Sequence, residues 1–378
     1  MKLMHLSDLH LGKRLHEASL LEDQADILEK LLDVAAAERP DAVLIAGDVY
    51  DKPVPPAEAV QLFDGFLSRL ADGGFPVLCI AGNHDSAERL AFGSRLMDGR
   101  GVYFAPVYDG DVRPVTLEDA WGPVDFYLLP FLKPAMVRRC FPDEPAETYS
   151  EAVRTAVAHL PVDRGRRNVL VTHQFVTGAV RSESEEITVG GTDNVDAAAF
   201  DGFDYVALGH IHRPQDVGSP RLRYCGTPLQ YAFSEAGHGK SVTIAELEAP
   251  GTLTVRTVPL RPLRALRELR GTYLQLSSRD AYRGTAVEDY LHITLTDEED
   301  VPDAAQKLRC IYPNLLRLDY DNARTRSAAL PEGLEAPEQQ SPLELFETFY
   351  ALQNGQPMSA EQRALAAELM ERIWGEMA

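Results

Sequence analysis

Five times in this chain a short apolar run stops at residues able to bind metal, and that recurrence constrains the fold more than any other feature. Residues 3–6 end in Ser7-Asp8-Leu9-His10, Ala42–Ala46 in Gly47-Asp48-Val49-Tyr50-Asp51, and residues 75–81 in Gly82-Asn83-His84-Asp85. Further on, residues 168–172 end in His173-Gln174, and residues 204–208 in Gly209-His210-Ile211-His212. Runs this brief and apolar read as buried strands, and that of residues 75–81 contains β-branched residues as well. Helical spacing fills the gaps between the first three. Leu21, Ala25, Leu28, Leu32 and Ala35 mark a helix over residues 20–37, and Val60, Phe63, Leu67 and Leu70 mark another over residues 57–70. Strand, helix, strand, helix, strand means a parallel sheet. Polar residues just past the carboxyl ends of its strands sit where open α/β sheets hold ligands.

The rest of the chain divides by pattern. Residues 102–130 predict shorter extended segments and 151–159 a helix, while 224–228 and 241–247 predict turns and sheet edges. Residues 260–269, with Arg261, Arg264 and Arg267 around Pro262, predict a connector. A small α+β unit follows over 271–320, with strands at 273–276, 290–295 and 315–319 and a helix at 304–310. Residues 323–341 are rich in Ala, Pro, Glu and Gln and lack periodicity, which predicts a flexible linker. Two amphipathic helices close the chain, at 342–352 and 360–373. Leu343, Phe346, Phe349 and Tyr350 line the first, and Leu365, Leu369, Ile373 and Trp374 the second. The expected domains are therefore 1–262, a smaller domain at 263–322, the linker 323–341, and a helical segment 342–378 that docks on a partner, since two short helices after a linker fold poorly alone.

Composition removes several function classes. At 378 residues the chain exceeds one ordinary core, so more than one domain is expected. Its net charge of −21 argues against binding nucleic acid through bulk charge. Bound divalent metals and local basic loops can reverse the field at one site, so a phosphodiester substrate stays open. Cys79, Cys140, Cys225 and Cys310 form neither a CxxC site nor a disulfide framework. No stretch of 18 or more apolar residues occurs and no apolar leader precedes the first strand, which predicts a cytoplasmic protein with no membrane span.

The strand tips together offer Asp8, His10, Asp48, Asn83, His173, His210 and His212. That mixed oxygen and nitrogen set suits Mn²⁺, Fe²⁺ or Zn²⁺ better than Ca²⁺. It exceeds what one ion needs, so two ions are expected, with Asp48 as the bridge. Paired divalent ions clamp a phosphoryl group and activate the attacking water. His84 lies beside Asn83 and suits the remaining task, stabilising charge or protonating the leaving oxygen.

Asp8-x-His10, Gly47-Asp48-x-x-Asp51, Gly82-Asn83-His84-Asp85, Thr172-His173 and Gly209-His210-x-His212 match, in order, the five motifs of calcineurin-like metallophosphoesterases. The resemblance covers residues 1–247. It implies a two-sheet α/β sandwich flanked by helices, with a dinuclear site at the strand ends. One metal would be held by Asp8, His10 and His212, the other by Asn83, His173 and His210, with Asp48 between them. His84 would be catalytic, and Asp51 and Asp85 would support the ligands.

Two departures narrow the family. Phosphoprotein phosphatases of this kind carry Arg-Gly after the second motif, whereas Asp51 here precedes Lys52-Pro53-Val54. Small cyclic-nucleotide phosphodiesterases usually lack a cap and a helical tail. The whole chain is instead similar to the SbcD family of nuclease subunits. That similarity implies Mn²⁺-dependent exonuclease and endonuclease action on double-stranded DNA ends and hairpins. It also implies a capping domain that shapes DNA access, a homodimer formed through helices of the nuclease domain, and a tail seated on a coiled-coil SbcC-type ATPase. Lys13, Arg14, Arg138, Arg139, Arg181 and Arg213, near the motif loops or between them, are the candidates for DNA contact. The competing expectations are a small-molecule phosphodiesterase with the same metals, and a scaffold of this fold without chemistry. The second sits badly with a chain in which every ligand position is filled.

Overall fold

The computed structural model describes residues 1–181, 193–323, 325 and 342–375. Most of the linker expected at 323–341 therefore lies outside the described residues. The chain divides into two compact units, Met1–Leu266 and Arg267–Ala378.

In the first unit the principal elements are β1 (Lys2–Leu6), α1 (Leu21–Glu38), β2 (Ala42–Ala46), α2 (Ala57–Asp72) and β3 (Val77–Ile80). After them come β4 (Val102–Phe104), β5 (Val115–Asp119), β6 (Gly122–Leu129), α3 (Tyr149–Ala158) and β7 (Arg167–His173). The unit ends with β8 (Tyr205–Gly209), β9 (Gln215–Val217), β10 (Ser219–Tyr224), β11 (Lys240–Leu247) and β12 (Leu253–Leu260). They form two six-stranded sheets, in the orders β12-β11-β1-β2-β3-β4 and β9-β10-β8-β7-β6-β5. The pairs β1–β2, β2–β3, β6–β7 and β7–β8 are parallel, so the carboxyl ends of neighbouring central strands point the same way.

Alternation along each strand builds two apolar layers. Val169 and Val171, Phe126 and Leu128, and Tyr205 and Ala207 face Leu3, Leu44 and Leu78 in the core between the sheets. Leu170, Tyr127 and Val206 face the other way and pack with Val153 and Ala156 of α3. Both sides are dry, which is why these strands read as unbroken apolar runs. Each such side chain contributes roughly 1.5–3 kcal/mol on burial, and this rigid base fixes the strand ends above it. Helix α1 buries Ile27, Leu28, Leu31 and Ala35, and α2 buries Phe63, Phe66 and Leu70. Arg39, in the left-handed conformation, ends α1 by donating its N–H to the Ala35 carbonyl.

Three expectations need correction. Residues 241–247 are no sheet edge, because β11 pairs with β1 on one side and β12 on the other. The unread strand Leu253–Leu260 is the edge; its burial alternates along the chain and it carries Pro259, as an edge tolerates. The connector expected at 260–269 ends early, since Leu266–Gly271 is a strand, β13.

The second unit has its own three-stranded sheet, β13 with β14 (Tyr290–Leu295) and β15 (Leu315–Tyr320). Residues 273–276 are helix, not strand. The short helix α4 (Tyr273–Ser277) starts at a capping box in which the Thr272 hydroxyl accepts the Gln275 N–H and the Gln275 side chain accepts the Thr272 N–H. Leu276, Leu291, Ile293 and Leu295 form the core with Leu308 of α5 (Ala304–Arg309). Two helices follow, α6 (Pro342–Asn354) and α7 (Ala360–Gly375). Phe346, Phe349, Leu365 and Leu369 are exposed on them, and Leu343 and Tyr350 are half-buried. The side chains of Ile373 and Trp374 lie outside the described residues. No helix among the described residues is long and apolar enough to cross a membrane.

Candidate metal centre

The ends of β1, β2, β3, β7 and β8 meet at one rim, and backbone hydrogen bonds lock the first two tips together. Asp8 N–H donates to the Gly47 carbonyl at 3.0 Å, His10 N–H to that of Asp48 at 3.0 Å, and Leu11 N–H to that of Val49 at 2.9 Å. Asp8, His10 and Asp48 hold positive φ angles of 53°, 43° and 49°. Non-glycine residues rarely adopt such angles, and they gather at sites where the surroundings over-determine the backbone. Two glycines explain why the rim closes so tightly. A Cβ on Gly82 would lie 2.1 Å from Asp48 Oδ1, and one on Gly209 would lie 1.9 Å from the Ala46 carbonyl oxygen. The second contact joins the two sheets.

All seven candidate ligands converge. Ligating atoms of Asp8, His10 and His212 lie within 4.8 Å of one another, as do those of Asp8, Asp48 and His173 and those of His10, Asp48 and His84. Asn83 Oδ1 stands 3.0 Å from His173 Nε2 and 3.0 Å from His210 Nδ1. Asp48 Oδ2 lies 3.4 Å from His173 Nε2 and 3.8 Å from His10 Nε2, between the two groups.

The donor set fits divalent cations. His10 and His212 face each other through their Nε2 atoms at 3.2 Å. At most one hydrogen can serve that pair, while a cation between two lone pairs satisfies both. His10 Nδ1 is buried without a hydrogen-bond partner among the described residues. His173 donates Nδ1–H to the Ala46 carbonyl at 2.8 Å, which leaves Nε2 as its inward atom. His212 turns Nδ1 to Glu235 Oε1 at 3.5 Å, and Glu235 in turn is paired with Lys240.

Burial and charge set the protonation states. Burial drives His10 and His210 well below the usual imidazole range, so both are neutral and carry lone pairs. Burial also pulls on His173, but the Asp48 carboxylate outweighs it and raises His173 to about 9. Burial raises Asp8 to about 6. Burial pushes Asp48 upward as well, yet His173 and the other imidazoles overcome it and hold the carboxyl well below its ordinary value. Glu235 follows the same rule: burial opposes its charge, but His212 and Lys240 keep it ionised, at about 2.

His84 differs from the other imidazoles. Its side chain is 19% exposed, against at most 7% for His10, His173, His210 and His212. It donates Nδ1–H to the Asp51 carbonyl at 3.0 Å, and its Nε2 lies 3.9 Å from Asp48 Oδ2. Asp51 thus orients His84 through its backbone, while its carboxylate meets Lys13 at 2.7 Å. Asp85 accepts the N–H groups of Gly82, Val49 and Tyr50 at 2.9–3.1 Å and so binds the third tip to the second. Sequence reasoning missed Glu235 and Lys240, which stand outside every motif and meet His212 only through the fold.

Among the basic candidates, Arg14, Arg139 and Arg213 are exposed. Lys13 is held by Asp51, Arg138 lies 3.3 Å from Glu147, and Arg181 pairs with Asp193 at 2.7 Å while its guanidinium stacks 3.5 Å from the Phe175 ring.

Residues 1–214 match the calcineurin-like phosphoesterase family, and residues 260–354 match the type 5 capsule protein repressor C-terminal domain. SbcD of the SbcCD nuclease from Staphylococcus saprophyticus is 34% identical over 99% of this chain and 98% of its own length. Its counterpart in Staphylococcus epidermidis is 34% identical over 84% of this chain and 85% of its own. A solved dimetal phosphatase from Danio rerio covers 70% of this chain and 98% of its own at 13% identity, with a TM-score of 0.43, too slight a likeness to argue from. By its rim motifs and these relatives, the chain belongs to the calcineurin-like phosphoesterase family and, within it, to the SbcD proteins of SbcCD nucleases.

Proposed function

We propose that this chain is the Mn²⁺-dependent nuclease component of a complex that hydrolyses phosphodiester bonds at duplex DNA ends and hairpins, in concert with an SbcC-type coiled-coil ATPase. One observation carries the chemistry: seven candidate ligand side chains meet at a buried rim, with one partly exposed imidazole beside them. The names of the near full-length relatives support the nuclease and its complex.

In this reading Asp8, His10 and His212 would hold one divalent ion, Asn83, His173 and His210 would hold the other, and Asp48 would serve both. When bound, the two ions supply Lewis-acid charge for the phosphate and lower the pKa of the attacking water. The protein does the rest. His84, oriented through Nδ1 by the Asp51 carbonyl, presents Nε2 to the substrate side. From there it donates a proton or hydrogen bond to the leaving oxygen. Asp85 keeps the Gly82 and Tyr50 amides in place so that His84 and Asp48 hold their spacing. Arg14, Arg139 and Arg213 offer exposed cations to the DNA backbone, while Lys13, Arg138 and Arg181 contribute only where their ion pairs open.

The same reading assigns 1–262 to the nuclease domain, 263–322 to the capping domain, 323–341 to a linker and 342–378 to ATPase docking, in a cytoplasmic homodimer. Phe92, between the two short helices after the third tip, and Leu96, on the second of them, are 83% and 86% exposed and support the self-association surface. The test is cleavage of linear duplex and hairpin DNA by the full chain with Mn²⁺, alone and with the coiled-coil ATPase. Cleavage that chelator abolishes and Mn²⁺ restores is expected. Absence of cleavage in both settings overturns the proposal.

A further inference from the structure

His212 is held from behind by a closed, buried chain of polar groups. Glu235 is 1% exposed and Lys240 4%. Glu235 places Oε1 3.5 Å from His212 Nδ1 and gives Oε2 to the Lys240 ammonium. Lys240 Nζ also donates to Thr227 Oγ1 at 2.6 Å and to the His212 carbonyl at 3.1 Å. All three ammonium hydrogens thus have acceptors, and both carboxylate oxygens have partners. Lys240 grips His212 twice, through its carbonyl and through the carboxylate behind its ring.

Taking two charges out of water can cost more than their attraction returns, so a buried ion pair is weak evidence of a purely stabilising role. The geometry points to Glu235 and Lys240 as positioning residues that fix the tautomer of His212 for divalent-metal binding, an inference that rests on the metal reading above. A carboxylate accepts a proton and cannot donate one. Glu235 therefore requires hydrogen on Nδ1 and leaves the lone pair of Nε2 facing His10 Nε2, 3.2 Å away. Lys240 has only donors. It keeps Glu235 charged and fixes which oxygen faces the histidine.

This arrangement makes an unusual demand on Glu235→Gln. Lys240 would draw the amide oxygen to itself, which turns the amide NH₂ toward His212. Nδ1 would then have to accept, the hydrogen would move to Nε2, and the ligand lone pair would be lost. In Glu235→Gln/Lys240→Met the amide is free to present its oxygen to His212 again. The single variant should therefore harm metal binding more than the double.

The experiment is titration of the metal-free full-length protein with Mn²⁺, read by calorimetry and by the EPR signal of free Mn²⁺, with melting temperature as the control for folding. Wild type should take two ions. Glu235→Gln should bind one of them about 10–100-fold more weakly and leave the other within about threefold, and the double variant should recover at least part of the loss. Equal weakening of both ions, or no change in either, overturns the inference while the metal reading stands. So does a double variant that is folded and worse than the single. A wild type that binds no Mn²⁺ brings down the metal reading and this inference together.

Discussion

The rim of the first unit and the helical pair of the second solve opposite problems. At the rim, Asp8, Asp48, His173 and Asp85 each have hydrogen-bond or charge partners before any ligand arrives, and the backbone is locked in left-handed conformations. On α6 and α7 the large apolar side chains Phe346, Phe349, Leu365 and Leu369 are turned to solvent. The helices touch through polar links, Arg363 to Glu347 and Gln362 to Tyr350. A site that does chemistry has to be stiff on its own. A surface with the docking role proposed for these helices can leave its apolar area uncovered until binding. The difference predicts that damage at the rim is felt by the isolated chain and damage on the helices only by the assembly.

The largest expected effect comes from Asp48→Ala. Removing the carboxylate that lies between both ligand groups should abolish Mn²⁺ binding at both, measured by metal analysis, and bring DNA cleavage to background. A variant that still carries two ions would move the bridge elsewhere. Next comes His84→Ala, which should keep both ions and lose about 10²–10⁴-fold in turnover. Normal turnover would take His84 out of the mechanism. Gly82→Ala follows, because its Cβ has no room beside Asp48. A loss of about 1–3 kcal/mol is expected from such crowding, read by chemical denaturation.

A smaller, graded effect follows pH. His173 sits at about 9 in the metal-free protein, and the form that ligates is the deprotonated one. Mn²⁺ uptake near neutral pH should therefore release a proton, and affinity should fall as pH falls below about 9. It should fall more steeply below about 6, where Asp8 also takes a proton. Calorimetry in buffers of different ionisation enthalpy checks the proton count. The smallest effect on the isolated chain is expected for Phe346→Asp with Leu369→Glu. Surface changes of this kind shift stability by about 0.5 kcal/mol or less. Mn²⁺-dependent cleavage by the chain alone should hold, while capture of the coiled-coil ATPase should fail. A large loss of activity without the partner would break the contrast between the two regions.

How much of this was legible in the sequence depended on where the information lay. Strands buried on both faces leave unbroken apolar runs, so Ala42–Ala46 could be read to the residue. Edge strand β12 has one wet face and a proline, and its weak alternation went unread. At 273–276 the alternation of Tyr273, Leu274, Gln275 and Leu276 suggested a strand, while the spacing of Thr272 and Gln275 carried the stronger signal of a helix start. The candidate ligands were legible because all seven lie at or just past the carboxyl ends of five strands. Glu235 and Lys240 were not, since they act on His212 from 23 and 28 residues away in sequence and no local pattern announces the contact.

The hydrogen bonds that tie Asp8 to Gly47, His10 to Asp48 and Leu11 to Val49 have a consequence for anyone who would rebuild this enzyme. The loops at the rim are a single casting. Lengthening one by a residue displaces its neighbour's ligand along with its own, so a graft or a design must carry the whole rim across at once.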